Sequence, residues 1–117
     1  MKKPISAKNH GIIDYIFSAI QIITPPILGI NSKASKTFET LGTGFLVLNS
    51  LTDTPVGVKK IIPFKNHQKA DACFLVATSL LTFSQMVKND KKALAFHVGF
   101  LTFALTNYLL TDYNSQK

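Results

Sequence analysis

The chain contains an internal repeat, which constrains the fold more than any other feature of the sequence. Residues 2–17 and 59–74 are identical at eight of sixteen aligned positions. The identical pairs are Lys2/Lys59, Lys3/Lys60, Ile5/Ile62, Lys8/Lys65, Asn9/Asn66, His10/His67, Asp14/Asp71 and Phe17/Phe74. The Thr-Asp pair at 52–53 also recurs at 111–112, after a slip of two residues. We therefore interpret the chain as two tandem repeats, about 2–54 and 59–113, and expect any site to occur twice.

The length of 117 residues fits a single domain. A unit of half this size cannot bury its own apolar face, so the two repeats must pack against each other. We expect one domain over residues 1–117.

All 13 basic residues are lysines, and with 6 acidic residues they give a net charge of +7. Arginine supplies the bidentate contacts to bases and phosphates, so its absence argues against a nucleic-acid-binding protein. The lysines cluster at 2–8, 33–36, 59–69 and 88–92, outside the apolar segments. Basic residues confined to connections are typical of membrane proteins, so the predicted partner is a lipid bilayer.

Four apolar segments alternate with these connections, at 11–30, 38–51, 70–87 and 93–110. Three of them are long enough to cross a hydrocarbon core of about 30 Å as helices, whereas the second is short for a span. The segments lack strand-like alternation. Asn9 precedes the first segment and Asn66 the third, and both are predicted N-caps. The sequence thus predicts an all-α fold, a four-helix membrane bundle made of two tandem helical hairpins.

The lysines also predict an orientation. In a four-span protein, eight lysines lie on the side of both termini and five on the other side, which favours cytoplasmic termini in the cell membrane. The eight are Lys2, Lys3, Lys8, Lys59, Lys60, Lys65, Lys69 and Lys117. Each repeat contributes an even number of spans, so we expect the two hairpins to be related by a pseudo-two-fold axis along the membrane normal.

Several segments are similar to the SPW-repeat family of small bacterial and archaeal membrane proteins. They read HGIIDY at 10–15, ITPPILG at 23–29, LTD at 51–53, IP at 62–63 and HxxxD at 67–71. The resemblance covers most of the chain. It departs at the Ser-Pro-Trp position, which reads TPP at 24–26 in the first copy and LTF at 81–83 in the second. The resemblance implies a membrane fold of two such units and assigns no activity.

The two histidine-aspartate pairs are the candidate site. His10 and Asp14 stand four residues apart, as do His67 and Asp71. This spacing places each pair on one face of a helix, with the aspartate about 6 Å further along the axis. If the pairs converge, they can hold a divalent metal ion or pass a proton. In the alternative interpretation, each pair is a structural joint that locks the start of its helix.

Three further residues are secondary candidates. Asp53 and Asp112 follow threonines at the ends of the second and fourth segments, where the helix dipole disfavours a carboxylate. We expect each to form a salt bridge with a nearby lysine or to cap a turn, with a share in a binding site as the alternative. His97 stands alone in the fourth segment, which is more typical of an interhelical hydrogen bond than of a ligand.

The sequence contains no GxSxG, Gly-rich phosphate loop, CxxC or HExxH motif, so we expect no enzymatic activity and no cofactor. The predicted function is that of a structural or partner-binding membrane subunit, which binds a protein partner or a second copy. Handling of a small solute, a proton or a metal ion through the His-Asp pairs is one alternative. A soluble all-α bundle that binds an apolar ligand or dimerises is another, because the mean hydropathy is only +0.20.

Overall fold

The computed structural model describes residues 3–115, so Lys2 and Lys117 of the orientation prediction lie outside the described residues. These residues form four long helices and one short one. The helices are α1 (Ala7–Ile27), α2 (Ser32–Ser50), α3 (Phe64–Leu81), α4 (Gln85–Lys88) and α5 (Lys91–Leu110). Isolated bridges are the only β structure in this range, which confirms the all-α prediction.

The first helices of the two repeats, α1 and α3, begin 57 residues apart, as the internal repeat predicts. Their N-caps are Ser6, whose hydroxyl accepts a hydrogen bond from the Asn9 amide at 3.3 Å, and Pro63. The predicted N-caps were therefore wrong, because Asn9 and Asn66 lie inside the first turns. The helices start before their apolar residues do, so hydrophobicity places the boundary too late.

Two helices differ in length from the apolar segments that predicted them. α2 has 19 residues, because its first turns are polar and carry Lys33 and Lys36. The third segment is divided: α3 ends at Leu81, and the short α4 follows before α5. Pro25 and Pro26 occupy the last turn of α1 and are followed by its end at Ile27.

Two matched main-chain bridges tie the helix ends together at one end of the bundle. Ile5, before α1, pairs with Thr111, after α5. Ile62, before α3, pairs with Thr52, after α2. In both bridges the residue after the threonine donates its amide to the isoleucine carbonyl, at 2.8 Å in the first and 2.7 Å in the second. We call this the bridge end and the opposite end, which holds residues 28–31 and α4, the turn end.

An apolar cluster fills the turn end. Its buried members are Ile30, Ala34, Phe38, Val87 and Ala93. Beside it, the side-chain amide of Asn31 donates to Asp90 Oδ2 at 2.9 Å and to the Met86 carbonyl at 2.9 Å. The hydrogen bonds that Asp90 accepts from the side chain and the main-chain amide of Asn31, together with those from the α5 amides that it caps, lower the pKa of the Asp90 carboxyl.

Many polar side chains are buried in the bundle, and many large hydrophobic side chains are exposed. Among the described residues, 13 polar or charged residues are buried against 11 hydrophobic ones, and 18 large hydrophobic residues are exposed. On α1, for example, Asp14, Ser18 and Gln21 face inward, whereas Ile16 and Ile23 are more than half exposed. The apolar surface therefore lies on the outside of the helices.

One helix in the described part of the chain, Lys91–Leu110, is long and apolar enough to cross a membrane. Its most apolar window of 18 residues has a mean hydropathy of 1.5. The core helix of a soluble protein can pass the same test, so this criterion gives only limited support to membrane placement.

Close packing of α1 on α2 depends on one glycine. A Cβ atom at Gly42 would lie 2.8 Å from the Cβ of Gln21 and 3.1 Å from the Ser18 carbonyl oxygen. Gly44, two residues later, has open space at the equivalent point. Gly42 therefore allows the two helices of the first hairpin to approach closely.

Candidate metal centre

At the bridge end, the two His-Asp pairs face each other inside the bundle. His10 and Asp14 come from α1, and His67 and Asp71 come from α3. None of the four residues is more than 5 % exposed. The sequence predicted the two pairs and left their convergence open, and the structure brings all four residues together.

Four short contacts join the histidine nitrogens to the carboxylate oxygens. His10 Nε2 lies 3.1 Å from Asp14 Oδ2 and 3.0 Å from Asp71 Oδ2. His67 Nε2 lies 2.9 Å from Asp14 Oδ2 and 3.2 Å from Asp71 Oδ1. Each histidine thus contacts the aspartate of its own repeat and that of the other repeat. One nitrogen or oxygen atom from each of the four residues can be chosen so that all four atoms lie within 4.8 Å of one another.

These contacts are not a set of ordinary hydrogen bonds. The contact from His67 Nε2 to Asp14 Oδ2 has the direction of a hydrogen bond. His10 Nε2 and Asp71 Oδ1, in contrast, make no hydrogen bond with any residue in the range 3–115, although both are buried. Short distances without hydrogen-bond directions are expected when donor atoms point toward a common centre instead of at each other.

The other nitrogen of each histidine ring contacts a threonine of the opposite repeat. His10 Nδ1 lies 2.7 Å from Thr111 Oγ1, and His67 Nδ1 lies 2.7 Å from Thr52 Oγ1. The two threonines are the same residues that form the main-chain bridges to Ile5 and Ile62. The repeated Thr-Asp pair of the sequence thus reaches the site through its threonine.

Each aspartate has a further partner on its outer side. The Asn107 side-chain amide donates to Asp14 Oδ1 at 3.3 Å, and the Tyr113 hydroxyl donates to Asp71 Oδ2 at 2.6 Å. Burial raises the pKa of the Tyr113 phenol, and the neighbouring Asp71 carboxylate raises it further. Tyr113 therefore remains a hydrogen-bond donor to Asp71 over the physiological pH range.

Aromatic rings enclose the cluster on two sides. Toward the chain termini, the rings of Phe64 and Tyr113 pack edge-on against His10, at centroid distances of 5.5 and 5.2 Å. Toward the middle of the bundle, a cavity of only about 10 Å³ adjoins His10 and is lined by three phenylalanines, Phe17, Phe45 and Phe74. The apolar walls limit access of water to the charged groups.

The secondary candidates lie elsewhere. Asp53 is exposed, and no described lysine forms an ion pair with it. Asp112 likewise has no lysine partner in the described range, and its carboxylate accepts a hydrogen bond from the Asn114 amide at 3.0 Å, so it caps a turn. The expected salt bridges are therefore absent between residues 3 and 115. His97 donates from Nε2 to the Thr78 carbonyl at 2.7 Å, which is the expected interhelical hydrogen bond.

Sequence reasoning missed the residues that surround the four candidates. They are Thr52, Thr111, Asn107 and Tyr113. The repeated Thr-Asp pair is a signal from which the threonines could have been predicted. The sequence analysis selected only the aspartates of that pair as candidates. Tyr113 lies after the last helix and is matched by Thr54 in the first repeat, so the repeat gives no sign of it.

The donor atoms form a set that suits a transition metal. Two imidazoles and two carboxylates are typical ligands of Zn²⁺ and of neighbouring first-row divalent ions. In a tetrahedral site with bonds of about 2.0 Å, neighbouring donor atoms lie about 3.3 Å apart. The nitrogen-to-oxygen distances of 2.9 to 3.2 Å are close to this separation and equally typical of His-Asp ion pairs.

The comparisons with known proteins give no relative from which a role can be transferred. The sequence matches no protein-family model, and neither a curated protein nor a solved structure is similar to it at a significant level.

Proposed function

We propose that this chain is a small multi-pass membrane protein without enzymatic activity that holds one divalent first-row metal ion between its two repeats. His10, Asp14, His67 and Asp71 are the ligands. The observation that carries the proposal is the convergence of four buried donor residues, two from each repeat, with two donor atoms that lack hydrogen bonds. The ion joins α1 to α3 and hence one hairpin to the other.

The charge of the cluster is compatible with this choice, as it is with two protonated histidines in the metal-free alternative. Two aspartates in the interior are costly unless positive charge compensates them. A divalent cation supplies two positive charges at the point toward which the carboxylates and the Nε2 atoms are directed. Four protein ligands leave no open position on a tetrahedral metal, and closed sites of this kind are structural. We therefore assign the ion a role in holding the hairpins together.

The type of ligand favours zinc-like ions over magnesium or calcium. Mg²⁺ and Ca²⁺ are bound mainly by oxygen atoms and coordinate six or more ligands, whereas imidazole nitrogen favours Zn²⁺, Fe²⁺ and Co²⁺. Half of the ligand residues here are histidines. We expect measurable preference for Zn²⁺ and Co²⁺.

The membrane placement is part of the proposal, and the burial pattern supports it. Exposed isoleucines, leucines, valines and phenylalanines follow the outer faces of the long helices, while histidine, aspartate and asparagine side chains face inward. In lipid this arrangement is favourable, because the solvent is apolar and polar side chains bond between helices. We propose four spans from two hairpins related by a pseudo-two-fold axis, with cytoplasmic termini. The resemblance to the SPW-repeat family, whose members are membrane proteins of two such units, agrees with this placement.

A metal titration tests the proposal. The full chain is purified in detergent micelles, stripped with a chelator and titrated with Co²⁺ and Zn²⁺, and Co²⁺ binding is followed by its visible absorption. We expect one ion per chain. Asp71→Asn should weaken binding at least about 100-fold, because it removes a charged ligand and leaves a buried amide. Asp53→Asn, an exposed carboxylate outside the site, should bind like the wild type.

A metal-free joint is the second candidate, favoured by the hydrogen bond from His67 Nε2 to Asp14 Oδ2. In that case the His-Asp pairs tie the hairpins through ion pairs alone. Wild-type protein that binds no Co²⁺ or Zn²⁺, combined with low membrane abundance of Asp71→Asn, would support the joint and contradict the metal site. Release of the chain from membranes by carbonate washing would contradict the membrane placement.

A further inference from the structure

Resting on the proposed metal site, we infer that Thr52 and Thr111 are positioning residues that hold His67 and His10 with the proton on Nδ1, so that Nε2 is presented to the metal. Neither threonine touches the ion in this arrangement. Each acts through the histidine ring that belongs to the other repeat.

The hydrogen bonds of the threonine hydroxyls establish the direction of the contact. Thr52 Oγ1 donates to the Leu48 carbonyl at 2.7 Å, and Thr111 Oγ1 donates to the Asn107 carbonyl. A hydroxyl has one hydrogen, and a main-chain carbonyl can only accept, so the hydrogen of each threonine is already used. Toward the histidine, the hydroxyl oxygen must therefore accept. The ring nitrogen at 2.7 Å, Nδ1, is the donor.

This assignment determines what the opposite nitrogen can do. In a neutral imidazole with a proton on Nδ1, Nε2 carries the lone pair. Nε2 is also the nitrogen that lies 2.9 to 3.2 Å from the carboxylate oxygens. A lone pair beside carboxylates is unfavourable unless a cation lies between them. In the metal-free protein a second proton on Nε2, shared with a carboxylate as between His67 and Asp14, meets this requirement, and a bound metal ion takes the place of that proton. Metal-binding histidines are commonly oriented by such a bond from the second nitrogen.

The two threonines are also held rigidly. Each follows the last turn of a helix and pairs through its main chain with an isoleucine just before the helix that leads to a histidine. Thr52 and Thr111 are 0 and 1 % exposed. A threonine fixed at both its main chain and its hydroxyl leaves the ring little freedom to rotate. The bridge end thus couples each histidine to the opposite repeat.

Variants in the full chain test the inference. Thr52→Val and Thr111→Val keep the shape and remove the hydroxyl, and each should weaken Co²⁺ binding about 10- to 100-fold. Thr52→Ser and Thr111→Ser keep the hydroxyl and should restore affinity close to that of the wild type. The matched control is Thr106→Val, because the Thr106 hydroxyl also bonds a carbonyl four residues earlier, at 2.8 Å, but contacts no histidine.

The ring protons provide a readout that does not depend on bound metal. Nitrogen-15 NMR of metal-free wild-type protein should show a proton on Nδ1 of His10 and His67, and the valine variants should lose the slow exchange of that proton. Rings that carry their only proton on Nε2 would overturn the inference. Valine variants that bind Co²⁺ like the wild type would overturn it as well, and would leave the proposed metal site intact. A wild type that binds no metal would contradict the proposed function, while the NMR result would still decide the role of the threonines.

Discussion

The bridge end and the turn end of the bundle have interiors of different character. At the bridge end two histidines and two aspartates lie beside a small apolar cluster of Ala7, Phe64 and Tyr113, whereas the turn end is filled by an apolar cluster around Phe38 and Val87. Apolar side chains stabilise a fold wherever they pack well, whereas buried ionisable groups destabilise it unless they are paired. We therefore expect the turn end to contribute more to stability, and the proposed binding chemistry belongs to the bridge end.

The ends also differ in how closely the repeats match. At the bridge end, equivalent residues make equivalent contacts, as with Ile5 and Ile62 or Thr52 and Thr111. At the turn end, residues 28–31 link α1 to α2, whereas the link between α3 and α5 contains the extra helix α4. The repeats are therefore most alike where both contribute residues to the His-Asp cluster.

The largest expected effect is a loss of stability at the turn end that leaves metal affinity at the bridge end nearly unchanged. Phe38 is fully buried at the turn end, and Phe38→Ala should lower the free energy of unfolding by about 3–5 kcal/mol because it leaves a cavity. Co²⁺ affinity at the far end should stay within a few-fold of the wild type. Reversible unfolding in detergent and the Co²⁺ titration measure the two quantities.

The matched variant at the bridge end is Phe64→Ala, since the Phe64 ring packs edge-on against His10. It should lower both stability and Co²⁺ affinity. Equal loss of affinity in Phe38→Ala and Phe64→Ala would mean that the two ends do not behave independently.

A smaller effect is expected midway between the ends. Gly42→Ala places a Cβ atom 2.8 Å from that of Gln21, so α1 and α2 must separate slightly. Overpacking of this kind should cost about 1–3 kcal/mol of unfolding free energy. Gly44→Ala is the control, because a Cβ atom there would have no neighbour within 4 Å and alanine favours the helix by about 0.5–1 kcal/mol. If Gly42→Ala is as stable as the wild type, the close approach of the helices is not needed.

The smallest effect concerns acid stability at the turn end. Hydrogen bonds from Asn31 hold the pKa of Asp90 below its ordinary value of 3.8. The folded protein therefore binds this proton less readily than the unfolded chain, so the stabilisation is present above pH 3.8 and declines as the pH falls toward the lowered pKa. Asp90→Asn should reduce the dependence of the melting temperature on pH below about pH 4. Identical pH profiles would show that the Asn31 contact is energetically neutral.

Much of the architecture was predictable because it depends on local patterns. Helical segments follow from long apolar runs, and the starts of α1 and α3 repeat at the shift that aligns His10 with His67. The cap positions and the break after Leu81 were not predicted. Helix ends depend on which main-chain amides and carbonyls form hydrogen bonds, and the pattern of hydrophobic residues does not indicate these bonds.

The sequence predicted which residues belong to the candidate site, but it did not predict that they meet. The HxxxD spacing and its repetition identified His10, Asp14, His67 and Asp71 as two helical pairs. For Asp53 and Asp112 the sequence left a salt bridge and a turn cap open. Asp112 caps a turn through the Asn114 amide, and neither aspartate pairs with a described lysine, because exposed ion pairs gain little.

The amino-acid sequence by itself determined the all-α class, the twofold repetition and which ionisable residues share a helix face, since these follow from composition and spacing along one chain. Tertiary structure alone decided that the two pairs meet, that threonines of the opposite repeat contact the histidine rings, and that polar side chains face inward. Those features depend on how the hairpins pack against each other. Contacts between residues 15 to 101 positions apart leave no signal in local spacing.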